Sequence, residues 1–302
     1  MFKRLFNRSQ KDSLKLETVS GVWSLGIYTG SSPTCLKPFM ERSNPVLTAS
    51  NVTDVTANFV ADPFMIHMDN LWHLFFEVEA VTPKGNIGKI GLAQSRDGFS
   101  WQYRKIVLEE PFHLSYPYVF EWEGDVYMIP ETRADRTVRL YRAKNFPIQW
   151  EFVSILLKRR RFADSSIFRF DGRWWMFSDS GNTTLRLFYA DALTGPWQEH
   201  KKSPLIKQNP EIARPGGRVI VTDDSVFRFA QDCKNGYGRQ VWGFEISELS
   251  PRHYREKRLK NLIIGSSGEG WNRWGMHTVD SHILKDKTWI ACVDGFGEPN
   301  DK

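Results

Sequence analysis

Three observations in the 302-residue sequence predict an all-β protein folded as a five-bladed β-propeller. A hairpin of two apolar runs around a tight turn recurs along the chain. Most copies are followed by a second pair of strand-like runs, so the unit is four antiparallel strands about every fifty residues, a period that points to propellers and solenoids. The last hairpin lacks such a pair, while the N-terminal segment carries a pair with no hairpin before it. One sheet shared between these two segments closes a ring and leaves no free radial edge.

In chain order, the three clear hairpins are ADPFMIHMDNLWHLFFEV (61–78), SYPYVFEWEGDVYMIPET (115–132) and ADSSIFRFDGRWWMFSDS (163–180). Their turns, Asp69-Asn70, Glu123-Gly124 and Asp171-Gly172, place Gly or Asn where a tight hairpin needs positive φ. Two looser copies follow: ARPGGRVIVTDDSVFRFAQD (213–232), with a longer turn, and MHTVDSHILKDKTWIACVD (276–294). Third strands are read at 90–98, 138–143, 185–190 and 241–246. Fourth strands are read at 100–108, 149–157, 196–206 and 253–263. The N-terminal pair, WSLGIYTGS (23–31) and NPVLTASNV (44–52), is expected to complete the fifth blade. Residues 1–20 read as a basic tail and 21–302 as one propeller domain. Phe168, Phe170, Trp174 and Trp175 are expected to pack between blades.

Composition agrees: aromatics make up 14% of the chain, with 12 Trp, and bulky rings suit half-buried strands. A net charge of +6 favours anionic partners. Lys and Arg are interleaved with 35 acids, which argues against nucleic acid. Three widely spaced cysteines make neither a disulfide framework nor a zinc site. No spacing calls for a cofactor or a metal; a channel-bound ion such as calcium stays open. The segment MFKRLFNRSQKD has no apolar core or cleavage site, so the expected compartment is the cytoplasm. Phe2, Leu5 and Phe6 among Lys3, Arg4 and Arg8 leave two readings, a solvated tail or a peripheral contact with the inner membrane surface.

The first strand of each blade lines the axis, and the second runs back beside it. Residues that open and close each hairpin should therefore meet at one mouth. These are Asp62, Tyr116, Asp164, Arg214 and His277 at the openings, and Glu77, Glu131, Asp179, Asp232 and Asp294 at the closures. Crowded carboxyl groups cannot all ionise, and split pKa values serve acid/base work on a glycosidic bond. Against this stands the reading of Glu77, Asp179 and Asp294 as caps of strand ends. Arg214 is expected either to clamp an anion or to neutralise these acids. His277 is either a satisfied inner-strand histidine or a proton shuttle. Trp271, Trp274 and Tyr116 are placed to stack on sugar faces.

The strings ADPFMI, YPYVF…YMIPET, DSSIFRFDGRWWMF, IARPGGRV and GWNRWGMHTVD resemble the N-terminal domain of glucosamine inositolphosphorylceramide transferases over about residues 20–295. The blade-opening DP is more remotely similar to five-bladed glycosidases of the family-43 and arabinanase/levansucrase type. Those enzymes use an axial base, a second orienting acid and a general-acid Glu. The resemblance puts Asp62 at the first position and Asp164 at the second, but Ala213-Arg214-Pro215 stands where the Glu should be. Glu131, or Glu77, could donate the proton instead. An arginine in that place suits a phosphate or nucleotide leaving group, which needs little protonation. The expected activity is therefore glycosyl transfer or phosphorolysis on a carbohydrate or sugar-phosphate. The alternative is a glycan-binding module that presents substrate to a separate transferase. The sequence leaves the oligomeric state open.

Overall fold

The computed structural model describes residues 21–299, so the expectation for the N-terminal tail falls outside the described residues. Within them, five antiparallel sheets stand in a ring with no α-helix. Blade one holds β3 (Ala57–Met68), β4 (Leu71–Thr82), β5 (Gly85–Ser95) and β6 (Gln102–Leu108). Blade two holds β7 (Ser115–Trp122), β8 (Asp125–Thr132), β9 (Thr137–Asn145) and β10 (Gln149–Lys158). Blade three holds β11 (Phe162–Phe170), β12 (Arg173–Ser180), β13 (Leu185–Ala190) and β14 (Gln198–Glu199). Blade four has β15 (Arg214–Pro215) and β16 (Ile220–Val221) on β17 (Val226–Gln231), then β18 (Gln240–Leu249) and β19 (Tyr254–Gly265). Blade five joins β20 (Val279–Ile283) and β21 (Trp289–Gly297) to β1 (Val22–Ser32) and β2 (Cys35–Pro38).

The ring closes as the sequence predicts, through continuous antiparallel pairing of β1 with β21 from Val22↔Gly297 to Gly30↔Trp289. The three short turns hold both central residues at positive φ, 53° and 59° at Asp69-Asn70, 53° and 83° at Glu123-Gly124, and 49° and 72° at Asp171-Gly172. Such turns match the right-handed twist of the strands they join. Phe168, Trp174 and Trp175 are buried between sheets, whereas Phe170 is half-buried.

Three strand expectations need correction. The outer strand of blade five is β2, not 44–52, which folds as an isolated bridge at Leu47 and a 3₁₀ turn at Ala49–Asn51. The outer strand of blade three shrinks to Gln198–Glu199, and the remaining stretch to Ile206 is irregular. The inner strand of blade four is split, because Gly216-Gly217 turns aside to reach blade five. Gly217, at φ 142°, makes a parallel bridge with Val279. A Cβ there would sit 1.8 Å from the Val279 carbonyl oxygen, so only glycine fits.

Candidate active site

Where the inner strands begin, each of the first three blades carries a bulge. Register slips between Ala61 and Phe64, between Ser115 and Tyr118, and between Ala163 and Ser166. The opening residues Asp62, Tyr116 and Asp164 sit in the left-handed region at φ 52°, 45° and 49°. Holding non-glycine residues there costs about 1–3 kcal/mol each, and such strain gathers at functional sites.

The bulges turn each opening N–H towards a carboxyl group of a neighbouring blade. Asp62 N–H donates to Asp294 Oδ2 (3.1 Å), Tyr116 N–H to Asp62 Oδ2 (3.3 Å), and Asp164 N–H to Glu131 Oε2 (3.3 Å). The acids at strand ends therefore stitch blade to blade around the mouth. Asp294 also accepts the N–H groups of His277 (2.9 Å) and Thr278 (3.0 Å). Asp179 and Asp232 cap their own turns: Asp179 accepts from Asn182 and Thr184, and Asp232 from Lys234 and Gln240. Glu77 meets His113 Nε2 at 3.0 Å.

Two charged groups form the centre. Arg214 donates through Nε to Asp164 Oδ2 (2.6 Å) and through Nη2 to Asp164 Oδ1 (3.3 Å), with Nη1 on Asn182 (3.3 Å). Gln231 fixes the same Asp164 oxygen from 2.6 Å. Of the two readings of Arg214, the buried partner of an acid is the one its hydrogen bonds fill; Nη2 still lies 3.7 Å from Glu131 Oε2. The second group is His277, between Asp62 and Asp294. Its Nε2 is 3.4 Å from Asp62 Oδ1, and its Nδ1 is 2.8 Å from Asp294 Oδ2 but out of line for a directed hydrogen bond.

This packing splits the proton affinities. Burial raises the Asp62 carboxyl to about 7 against the pull of His277, with Asp164, Glu77 and Asp294 pushing the same way. Burial, and next the neighbouring Asp164, hold Glu131 well above the usual carboxyl range despite Arg214. Burial works against protonated His277, but Asp294 and Asp62 outweigh it and raise the imidazole to about 9. At neutral pH the mouth thus shifts Glu131 towards its protonated form and keeps Asp62 near its midpoint and His277 as imidazolium.

Exposure separates the groups a ligand can touch from those behind them. Side chains of Glu131 (9%), Arg214 (8%), Glu77 (8%) and Asp62 (5%) reach solvent, whereas Asp164 (1%) and Asp294 (0%) do not. Asp164 is therefore a positioning residue for Arg214.

The aromatic wall differs from expectation. Tyr116 is fully enclosed: its ring packs edge-on to Phe64, and its hydroxyl meets Ser166 Oγ (2.9 Å) and the Gly217 N–H (2.6 Å). No face is left for a sugar. Trp271 lies flat on Gly26 and Gly295, within the fifth blade. Trp274 leans on Phe296 beneath Arg273. The rings at the mouth are instead Trp23, 4.1 Å from His277, and the exposed Tyr237, 5.3 Å from His277 and 5.2 Å from the Arg214 guanidinium. Neither lies in a hairpin copy, so the repeat gave no signal for them.

Asp62, His277 and Asp294 each offer one ligand atom within 4.8 Å of the others. A cation would be held there, in competition with the proton that His277 keeps. At the opposite end of the axis Arg218 pairs with Asp280 at 2.5 Å and donates to the Val119 carbonyl, and His282 meets Asp280 at 3.0 Å. This second polar knot, absent from the sequence expectations, joins blades across the channel. Concavities of 360 Å³ and 810 Å³ lie at that end, lined by Trp122, Arg169 and Trp174.

Residues 16–296 match the family described as "Glucosamine inositolphosphorylceramide transferase 1, N-terminal". The chain belongs to this family. It is 36% identical to a glucosamine inositolphosphorylceramide transferase 1 from Oryza sativa subsp. japonica over 93% of its own length and 41% of the relative's. The chain thus spans well under half of that relative. Among solved structures it resembles the Cellvibrio cellulosa α-L-arabinanase (17% identity, TM-score 0.56, 77% of this chain and 86% of that one). It also resembles a family 117 glycoside hydrolase from Zobellia galactanivorans (12% identity, TM-score 0.54, 78% and 84%). At these identities the likeness is one of fold.

Proposed function

We propose that the mouth is a carbohydrate-active site that breaks a glycosyl bond, with a phosphate- or nucleotide-linked sugar as donor. The observation that carries this reading is the convergence at one mouth of Glu131 and Asp62, both carboxyl groups pushed upward by burial and each keeping only a small solvent-accessible edge. Glu131 is the proton donor to the leaving oxygen, and Asp62 the base that takes a proton from the acceptor. Arg214, oriented by Asp164, and protonated His277 offset developing negative charge. Tyr237 and Trp23 present ring faces to the sugar. The name of the rice relative, a glucosamine transferase acting on an inositolphosphorylceramide, fits a sugar-phosphate chemistry.

A second reading rests on a specific observation. Asp62, Asp164, Glu131 and Asp294 all accept hydrogen bonds from neighbouring blades, so the same residues would also build a non-catalytic module that presents glycan to a separate transferase. The test incubates the protein with glycosyl phosphates and nucleotide sugars and follows released phosphate or nucleotide. The first reading expects turnover that Asp62→Asn lowers by about 10²–10⁴, with a smaller loss in Glu131→Gln because a phosphate leaving group needs little protonation. Saturable sugar binding without turnover in the parent protein would replace it with the second.

A further inference from the structure

Inner strands start at the mouth, so the turns from second to third strands and the links between blades lie at that end of the ring. One link, Lys158 to Arg161, joins β10 to β11 and leads directly into Phe162-Ala163-Asp164. All four basic side chains are exposed, and none pairs with an acid among the described residues. The end is not merely charged. Large apolar side chains are exposed around the same rim: Val81 (45%), Ile155 (45%) and Leu262 (40%), from blades one, two and four.

A basic rim studded with separate apolar side chains suits a surface that is anionic outside and apolar just beneath. Free polyanions offer only the first property, and a protein partner would favour a contiguous apolar patch. We infer that the mouth end of the propeller docks on an anionic lipid bilayer, with Lys158–Arg161 on the headgroups and Val81, Ile155 and Leu262 in the interfacial region. The axis then stands across the membrane plane with the mouth facing the lipid. A sugar-phosphate headgroup could enter without leaving its bilayer, a consequence that rests on the proposed function, although docking itself does not.

The test is cosedimentation of the full chain with vesicles of phosphatidylcholine alone and of phosphatidylcholine with phosphatidylinositol. Binding is expected only to the anionic vesicles and should be released by salt. Lys158→Gln with Arg160→Gln and Arg161→Gln should weaken it about fivefold per charge, about a hundredfold together. Arg159, at φ 74°, stays in place to spare the backbone. Val81→Ser with Ile155→Ser should weaken it further without altering the salt response. Asp62→Asn should bind vesicles like the parent, which separates this proposal from the catalytic one. Equal binding to neutral vesicles, or a triple variant that sediments like the parent, would overturn it. Full competition by soluble inositol phosphates with no effect of the serine variants would also overturn it, in favour of a free-anion site.

Discussion

His277 makes the mouth's stability depend on pH in a direction that can be worked from the structure. Its imidazole titrates at about 9 in the folded protein, against an ordinary 6.5. Because the folded value is the higher one, the stabilisation is complete below pH 6.5 and is lost as pH rises to about 9. At about 1.4 kcal/mol per unit, the elevation corresponds to about 3 kcal/mol. Asp62 adds to the slope at lower pH: raised from 3.8 to about 7, it too favours the protonated folded state, with stability falling between those values. The two groups face each other, so their contributions are not additive. Urea unfolding at pH 6.5, 7.5, 8.5 and 9.5 is the assay, with His277→Gln beside the parent protein. The parent should lose about 3 kcal/mol over this range, or about 6–12 °C in melting temperature for a domain of this size. The glutamine variant should be less stable at pH 6.5 and lose much less on the way up. Parallel pH profiles for the two proteins would refute the placement of an imidazolium between Asp62 and Asp294.

Other substitutions probe the remaining parts. Arg214→Met strands Asp164 in a buried pocket and should cost about 3–5 kcal/mol in urea unfolding, more than Arg214→Lys, which keeps the charge but not the fork. Asp280→Ala should destabilise by a similar amount by leaving Arg218 unpaired. Arg218→Met combined with Asp280→Leu should recover much of that loss, and a double variant no better than the single one would contradict the account. Gly217→Ala drives a methyl into the Val279 carbonyl and should cost about 3 kcal/mol while slowing no chemistry directly; an unchanged melting temperature would show that the blade four–five bridge is absent.

The blades were legible because their signal is local. Turn pairs such as Asp171-Gly172 and the recurrent strand spacing specify hairpins within twenty residues of sequence, and the unmatched halves at 23–52 and 276–294 specify closure. Less legible were features set by contacts between distant segments. Nothing near Leu47 says that Cys35–Pro38, rather than its own apolar run, will pair with β1. Tyr116 occupies a site-facing position in the repeat, yet a bulge and the hydroxyl's partner, Gly217, carry its ring inward. Arg218 and Asp280 are 62 residues apart, and neither has a counterpart in the other blades. The acids at strand ends were identified by position, but their double duty was not. Glu131 and Asp294 bind the N–H groups that the left-handed bulges expose, and those bulges have no simple sequence rule for Asp or Tyr.

The central claim is that sugar is handled at the mouth where Asp62, Glu131 and Arg214 converge. Soaking crystals of the Glu131→Gln variant with a glycosyl phosphate or nucleotide sugar tests it most directly. The account predicts density with the leaving oxygen against residue 131, the acceptor side against Asp62 and a ring face on Tyr237 or Trp23. Density confined to the concavities around Trp122 and Trp174 at the opposite end would contradict it.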